Sequence, residues 1–214
     1  MLLIVNSGCD SCRVGSEYLL SRPTTVIDVQ DWGLIRYIEL VVGHPIMPKG
    51  LKDTSSLIAI GFNVTESAAN TFTQAQVDLQ LNPLDNEVFV VYAVDMDISP
   101  PDAVAGLNTD VFSSLSTTSR TTVGNLGNSN VITTAANQIR GGIADGVGFS
   151  FISSDAPATQ LEYLSIISTN DFFIQILGAN NTSAKGMSGR LYGVRAKADA
   201  SVYAALVQSE VLTS

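Results

Sequence analysis

The sequence predicts an all-β fold, a single jelly roll or β-sandwich of antiparallel strands, on three observations. Residues 87–98 are rich in β-branched and aromatic side chains, are closed by Pro100 and Pro101, and are apolar on both faces from Val88 to Val94. A strand covered on both sides has this pattern. Shorter runs of the same kind recur on either side of it, separated by segments rich in Gly, Asn, Ser and Pro. Charged residues make up only 14% of the 214, against 45% hydrophobic, so a sizeable core is available beneath a largely uncharged polar surface. Such a surface suits packing against copies of itself, because few charges need desolvating at each contact.

The chain opens with an apolar run at 2–5, a loop through Gly8, the pair Cys9 and Cys12, and a stretch of helical character through Leu20. This order resembles that of glutaredoxin and thioredoxin-like proteins over about the first thirty residues, with 25–29 as the next strand. The resemblance implies thiol–disulfide chemistry at Cys9 and Cys12, with Arg13 as a cation that lowers a thiol pKa. Those folds set a cis-proline directly before a strand opposite the cysteines, whereas here Pro45 and Pro48 are followed by 49–53 before the next strand. The departure favours the plainer reading, an N-terminal arm at 1–23 with two incidental thiols too close together to cross-link a fold. A zinc site is short of ligands, since no second Cys pair exists and His44 is the only histidine.

Residues 24–214 are expected to form one domain. Its first strands fall at 34–42, which ends at Gly43, and at 56–62. Residues 71–80 follow, with Val77 and Leu79 on one face and Gln76, Asp78 and Gln80 on the other. A short turn leads into 87–98, so 71–97 is expected to be a hairpin. Within that central strand, alternation assigns Phe89, Val91 and Ala93 to one layer and Val88, Val90 and Tyr92 to another. Eight of the ten residues at 113–122 are Ser or Thr, and the stretch 113–138 is read as polar surface excursions that touch neighbours. Strands return at 161–167, 171–177 and 190–198. In the last of these Tyr192, Val194, Ala196 and Ala198 share a face opposite Arg195 and Lys197, so 171–198 is expected to be a second hairpin with one wet side. The tail at 201–212 fits a strand or a helix, because Val202/Leu206 and Tyr203/Val207 also have helical spacing.

Twenty acids against eleven bases give a net charge of −9, and the nine acids between Asp53 and Ser119 are accompanied by no base. Nucleic-acid binding draws on Lys and Arg to replace phosphate counterions, so direct genome contact is disfavoured. No apolar run reaches the roughly eighteen residues of a membrane span, and the first residues lack the basic flank of a signal peptide. Chemistry-bearing residues are sparse. His44 precedes Pro45 in a loop and is read as a plain loop histidine. Asp95 and Asp97 share a strand face with Asp102 just beyond, which leaves open a cation site or a solvated strand end. Asn63 and Asn180 begin glycosylation sequons. The Gly-rich 141–148 lacks the Lys-Ser/Thr ending of a phosphate-binding loop. No catalytic residue, cofactor or metal ligand is assigned.

An initial arm, paired strands such as 79–98 and 172–198, and long polar loops between them resemble the pattern of single jelly-roll virion proteins over roughly residues 24–214. The resemblance implies a non-enzymatic, self-assembling capsid or shell subunit located in the virion, with copies of itself and other shell proteins as partners. The chain departs from capsid proteins of small RNA or single-stranded DNA viruses in lacking a basic arm. That departure implies a shell lined by an internal membrane or a second protein layer rather than by genome. The alternatives are an extracellular filament, tail or receptor-binding β protein, and a thiol–disulfide redox protein using Cys9 and Cys12.

Overall fold

In a computed structural model of the chain, residues 47–141, 146–152 and 162–212 are described. The expected strands at 25–29 and 34–42, the arm boundary at 23/24, Cys9, Cys12, Arg13 and His44 lie outside them. In chain order the elements are β1 (Leu51–Asp53), β2 (Ile58–Thr65), β3 (Thr73–Asp78), a 3-10 turn (Pro83–Asp85), β4 (Glu87–Ile98), β5 (Thr109–Ser116), β6 (Val131–Gly141), β7 (Gly146–Ile152), β8 (Ser165–Ile167), β9 (Asp171–Ala179), β10 (Gly186–Ala198) and α1 (Ala200–Leu212). The described residues belong to one compact unit. None of their helices is long and apolar enough to cross a membrane.

Strand pairing defines the architecture. β2 pairs with β10, β3 with β9, β4 with β8 and β5 with β6, all antiparallel. Four nested pairings of this kind are one long antiparallel ribbon folded over on itself, which is a jelly roll. Two further pairings, β10 with β4 and β9 with β5, close the ribbon into two five-stranded sheets. One runs β1–β10–β4–β8, with β2 continuing the β1 edge along β10; the other runs β3–β9–β5–β6–β7. Between the sheets lies a core built from both, including Phe62, Phe89, Val91, Leu115, Phe172, Ile174 and Leu191. Phe62 and Phe172 meet edge to face across it, ring centroids 5.9 Å apart.

The expected hairpins at 71–97 and 171–198 are not formed. β3 and β4 lie in different sheets, as do β9 and β10. The link 79–86 is too long for a tight hairpin turn, and it buries Leu79 and Leu81 as it crosses between the sheets. Each of these four strands therefore pairs with partners that are not its neighbours in sequence.

β4 has the expected bounds and is buried on both faces at Val88, Phe89, Val90 and Val91. Phe89 and Val91 enter the inter-sheet core, whereas Val88 and Val90 join a second cluster with Val194, Ala196 and Ala198. The expected placement of Ala93 is corrected by a β-bulge. The register passes from Tyr192↔Ala93 to Gly193↔Val91, which leaves Tyr92 unmatched, and the inward residues after it are Val94, Met96 and Ile98. Val202, Tyr203 and Leu206 of α1 pack on the second cluster, so the tail is a helix covering the outer face of the first sheet. The face carrying Val194, Ala196 and Ala198 is thus apolar because a helix lies over it.

The Ser/Thr-rich stretch is also corrected. Residues 113–116 complete β5 in mid-sheet, 131–138 belong to β6, and Ser113, Ser114, Ser116, Thr117 and Thr118 are buried. The hydroxyls are accommodated because the sheet supplies partners. Ser114 Oγ donates to Gln175 Oε1 at 2.7 Å, Gln175 Nε2 donates to Ser116 Oγ at 2.8 Å, and Ser116 Oγ donates to the Thr118 carbonyl at 2.7 Å. The following loop folds back onto this ladder, with Gly124 N donating to Ser114 Oγ and Arg120 N to Gln74 Oε1. Ser116→Ala would leave buried hydrogen-bonding partners unsatisfied and Thr117→Glu would bury a charge, so both are expected to destabilise the folded subunit.

Candidate functional site

At the end of the sandwich where loops 66–72, 99–108 and 180–185 meet, the polar side chains are spent on one another. Alternation along β2 turns Phe62 and Val64 inward, and the next inward position holds Glu66, only 4% exposed. Its carboxylate accepts from Gly178 N at 2.6 Å and Lys185 N at 2.9 Å, tying the β2 end to both ends of the β9–β10 loop. Asn181 N donates to Asn70 Oδ1 at 2.7 Å while Asn70 Nδ2 returns a bond to the Asn181 carbonyl at 2.8 Å. Asn181 Oδ1 also accepts from Asp102 N at 2.9 Å. The buried Lys185 ammonium lies 2.5 Å from Asp102 Oδ1, and Asp102 Oδ2 accepts from Thr182 N, Thr182 Oγ1 and Ser183 N. Lys185 above all, then Thr182, holds the Asp102 carboxyl well below the usual carboxylate range. Chemically the arrangement is a neutralised amine–carboxylate pair inside a hydrogen-bonded knot that fixes three loops.

Asp102 is thereby separated from the two carboxylates with which the sequence grouped it. Asp95 and Asp97 are exposed on the outer face of β4, across from Arg190 and Ser188 in the register. With Tyr192 and Gly189 they line an open depression of ≈ 530 Å³. A second of ≈ 420 Å³ continues past Asp97 to Asn63 and Thr65. Among the described residues no three His, Cys, Asp or Glu side chains come together as a metal set. Asp95 and Asp97 are solvent-exposed on β4, and Asp102 is the loop-pinning residue. Asn63 is exposed beside the second depression, and Asn180 is exposed with a left-handed backbone, its amide donating to the Asn108 carbonyl.

The sequence reading missed Glu66, Asn70, Asn181 and Lys185. A signal for Glu66 was present, a carboxylate at the next inward step of an alternating strand. The others sit in loops whose partners lie far away in sequence. A further buried carboxyl, Glu210 near the end of α1, accepts from Ser168 N at 3.1 Å and Ser168 Oγ at 2.8 Å. Burial pushes it above the usual carboxylate range, against the pull of the Ser168 bonds.

No family model and no curated protein matches the sequence. Among solved structures, a chain of Desmodium yellow mottle tymovirus is similar at 10% identity and a TM-score of 0.27, covering 75% of this chain and 99% of that one. A likeness of that degree carries no argument here, and the fold rests on the strand pairing itself.

Proposed function

We propose that the chain is a non-enzymatic structural subunit that assembles with copies of itself into the shell of a virus particle, without direct contact to the genome. The observation that carries this reading is a jelly roll whose end loops are pinned by buried, mutually satisfied polar groups. A shell subunit must present one geometry at every contact, and rigid loops on a closed two-sheet block supply that. The Glu66, Asn70, Asn181, Asp102 and Lys185 knot supports it by spending on loop fixation groups that an active site would hold free. The small share of charged residues, 14%, and the resemblance of the strand pattern to single jelly-roll virion proteins point the same way. Jelly rolls also serve lectins and small-molecule enzymes, so the fold by itself does not choose among these roles.

One observation favours a second reading, a surface protein that binds a receptor or ligand. The open depression lined by Asp95, Asp97, Arg190 and Tyr192 presents hydrogen-bonding groups around an aromatic ring on the outer side of β4 and β10. Negative-stain microscopy and sedimentation velocity of the purified chain separate the two. Closed shells or their curved fragments are the expected result. A protein that stays monomeric at high concentration, or that polymerises only into open fibres, overturns the shell reading.

A further inference from the structure

β7 is the last strand of its sheet. It pairs with β6 on one side, and among the described residues the order β3–β9–β5–β6–β7 places no strand on the other. Such an edge carries a row of backbone donors and acceptors that can template another strand. Natural proteins blunt such edges with charge or proline, but β7 carries neither in its seven residues. Instead it exposes Val147 at 59% and Phe149 at 46%. Two residues apart, these project from one face, and the register sets them beside Arg140 and Gln138 of β6. Gln138 in turn lies across from Asp110, and one step along the same face the half-buried Phe112 pairs with Leu177 and Ala136. The outer face of this sheet therefore carries an exposed apolar pair at its β7 end. The charges within that patch are Arg140 and Asp110, which neutralise each other at 3.0 Å.

We infer that β7 pairs edge to edge with β7 of a second copy of this chain, joining two five-stranded sheets into one continuous sheet with Val147 and Phe149 of both copies side by side. The occupant is argued from geometry and charge. A strand edge is satisfied by another strand, and an antiparallel β7–β7 pair is self-complementary under a two-fold axis. Each subunit carries a net −9, so two copies approach at least cost where the surface is neutral. A basic partner would instead be drawn to the exposed Asp95 and Asp97 on the opposite sheet. This inference rests on the self-assembling reading and names the surface it uses.

The test uses the full chain carrying Phe149→Glu or Phe149→Lys, each alone and the two mixed in equal amounts, followed by sedimentation velocity and negative stain. The side chain is exposed, so the thermal midpoint should match the parent. Should either variant fold poorly, Val147→Glu and Val147→Lys carry the same comparison. Each variant alone is expected to self-associate about ten-fold more weakly or worse, and the mixture to recover, because like charges meet across the axis in one case and opposite charges in the other. Undiminished assembly by both single variants overturns the β7 contact while leaving the shell reading intact. Weakening by one charge and strengthening by the other, or weakening by both with no recovery on mixing, overturns a two-fold pairing of copies. A parent chain that never associates overturns this inference and the shell reading together.

Discussion

Gly193 lies on β10 opposite the bulge of β4, and the space for a side chain there is already taken. A Cβ would sit 2.3 Å from the Val90 carbonyl oxygen and 2.4 Å from Phe89 Cε1. Phe89 is itself fully buried, and the Val90 carbonyl belongs to the neighbouring strand, so neither can retreat without moving β4. Gly193→Ala is therefore expected to cost about 1–3 kcal/mol, as overpacking of a filled core does. Gly61, on the same sheet, faces open space, with nothing within 4 Å of a Cβ, and Gly61→Ala should be neutral or slightly stabilising. Denaturant midpoints at unchanged slope compare the two directly. Equal midpoints would mean that β4 and β10 part more readily than their register implies. The same residue-level logic reassigns the hydroxyls of β5. Ser114 and Ser116 are buried beside Gln175, and their composition had suggested a wet loop because hydroxyls satisfied by a sheet and hydroxyls satisfied by water look alike in sequence.

At the scale of elements, α1 is held by two different attachments. Val202, Tyr203 and Leu206 cover the apolar cluster on the outer face of the first sheet, and Glu210 reaches the β8–β9 turn through Ser168. Burial raises the Glu210 carboxyl above its ordinary pKa. The folded state then holds its proton more tightly than the unfolded chain, so the stabilisation is fully present below the unfolded pKa and is lost as pH rises through the folded one. Glu210→Gln should remove that loss, and its thermal midpoint relative to the parent should rise as pH increases above the ordinary Glu range. Asp102 has the opposite sign, since its lowered carboxyl contributes above the ordinary Asp range and stops contributing as pH falls through it. A parent–variant difference for Glu210→Gln that is flat with pH would sink the assignment. The helix itself was not separable from a strand, because its apolar residues satisfy both spacings. β3 was legible by its local alternation, and β4 by a run of β-branched and aromatic residues apolar on both faces. Their partners were not legible, because nested pairing joins β2 to β10 and β3 to β9 across more than half of the described chain. For the same reason Asp102 could be seen, but its partner Lys185 could not.

For the whole molecule the deciding quantity is charge. A net −9 with nine acids and no base between Asp53 and Ser119 makes every copy repel every other at long range. Among the described bases, Lys185, Arg140, Arg195 and Lys197 each lie against a carboxylate. Assembly through a neutral apolar edge must then work against repulsion that salt screens, with a Debye length that shrinks from about 30 Å at 0.01 M to about 8 Å at 0.15 M. Self-association should accordingly strengthen as salt rises over that range, and added nucleic acid should change nothing. A shell nucleated on a polyanion behaves oppositely, because counterion release makes its assembly weaken with salt. Sedimentation velocity across a salt series, with and without single-stranded DNA, reads both arms at once. Association that weakens with salt, or that requires the DNA, would mean that the subunit carries a basic surface beyond the described residues and that the genome-free reading is wrong.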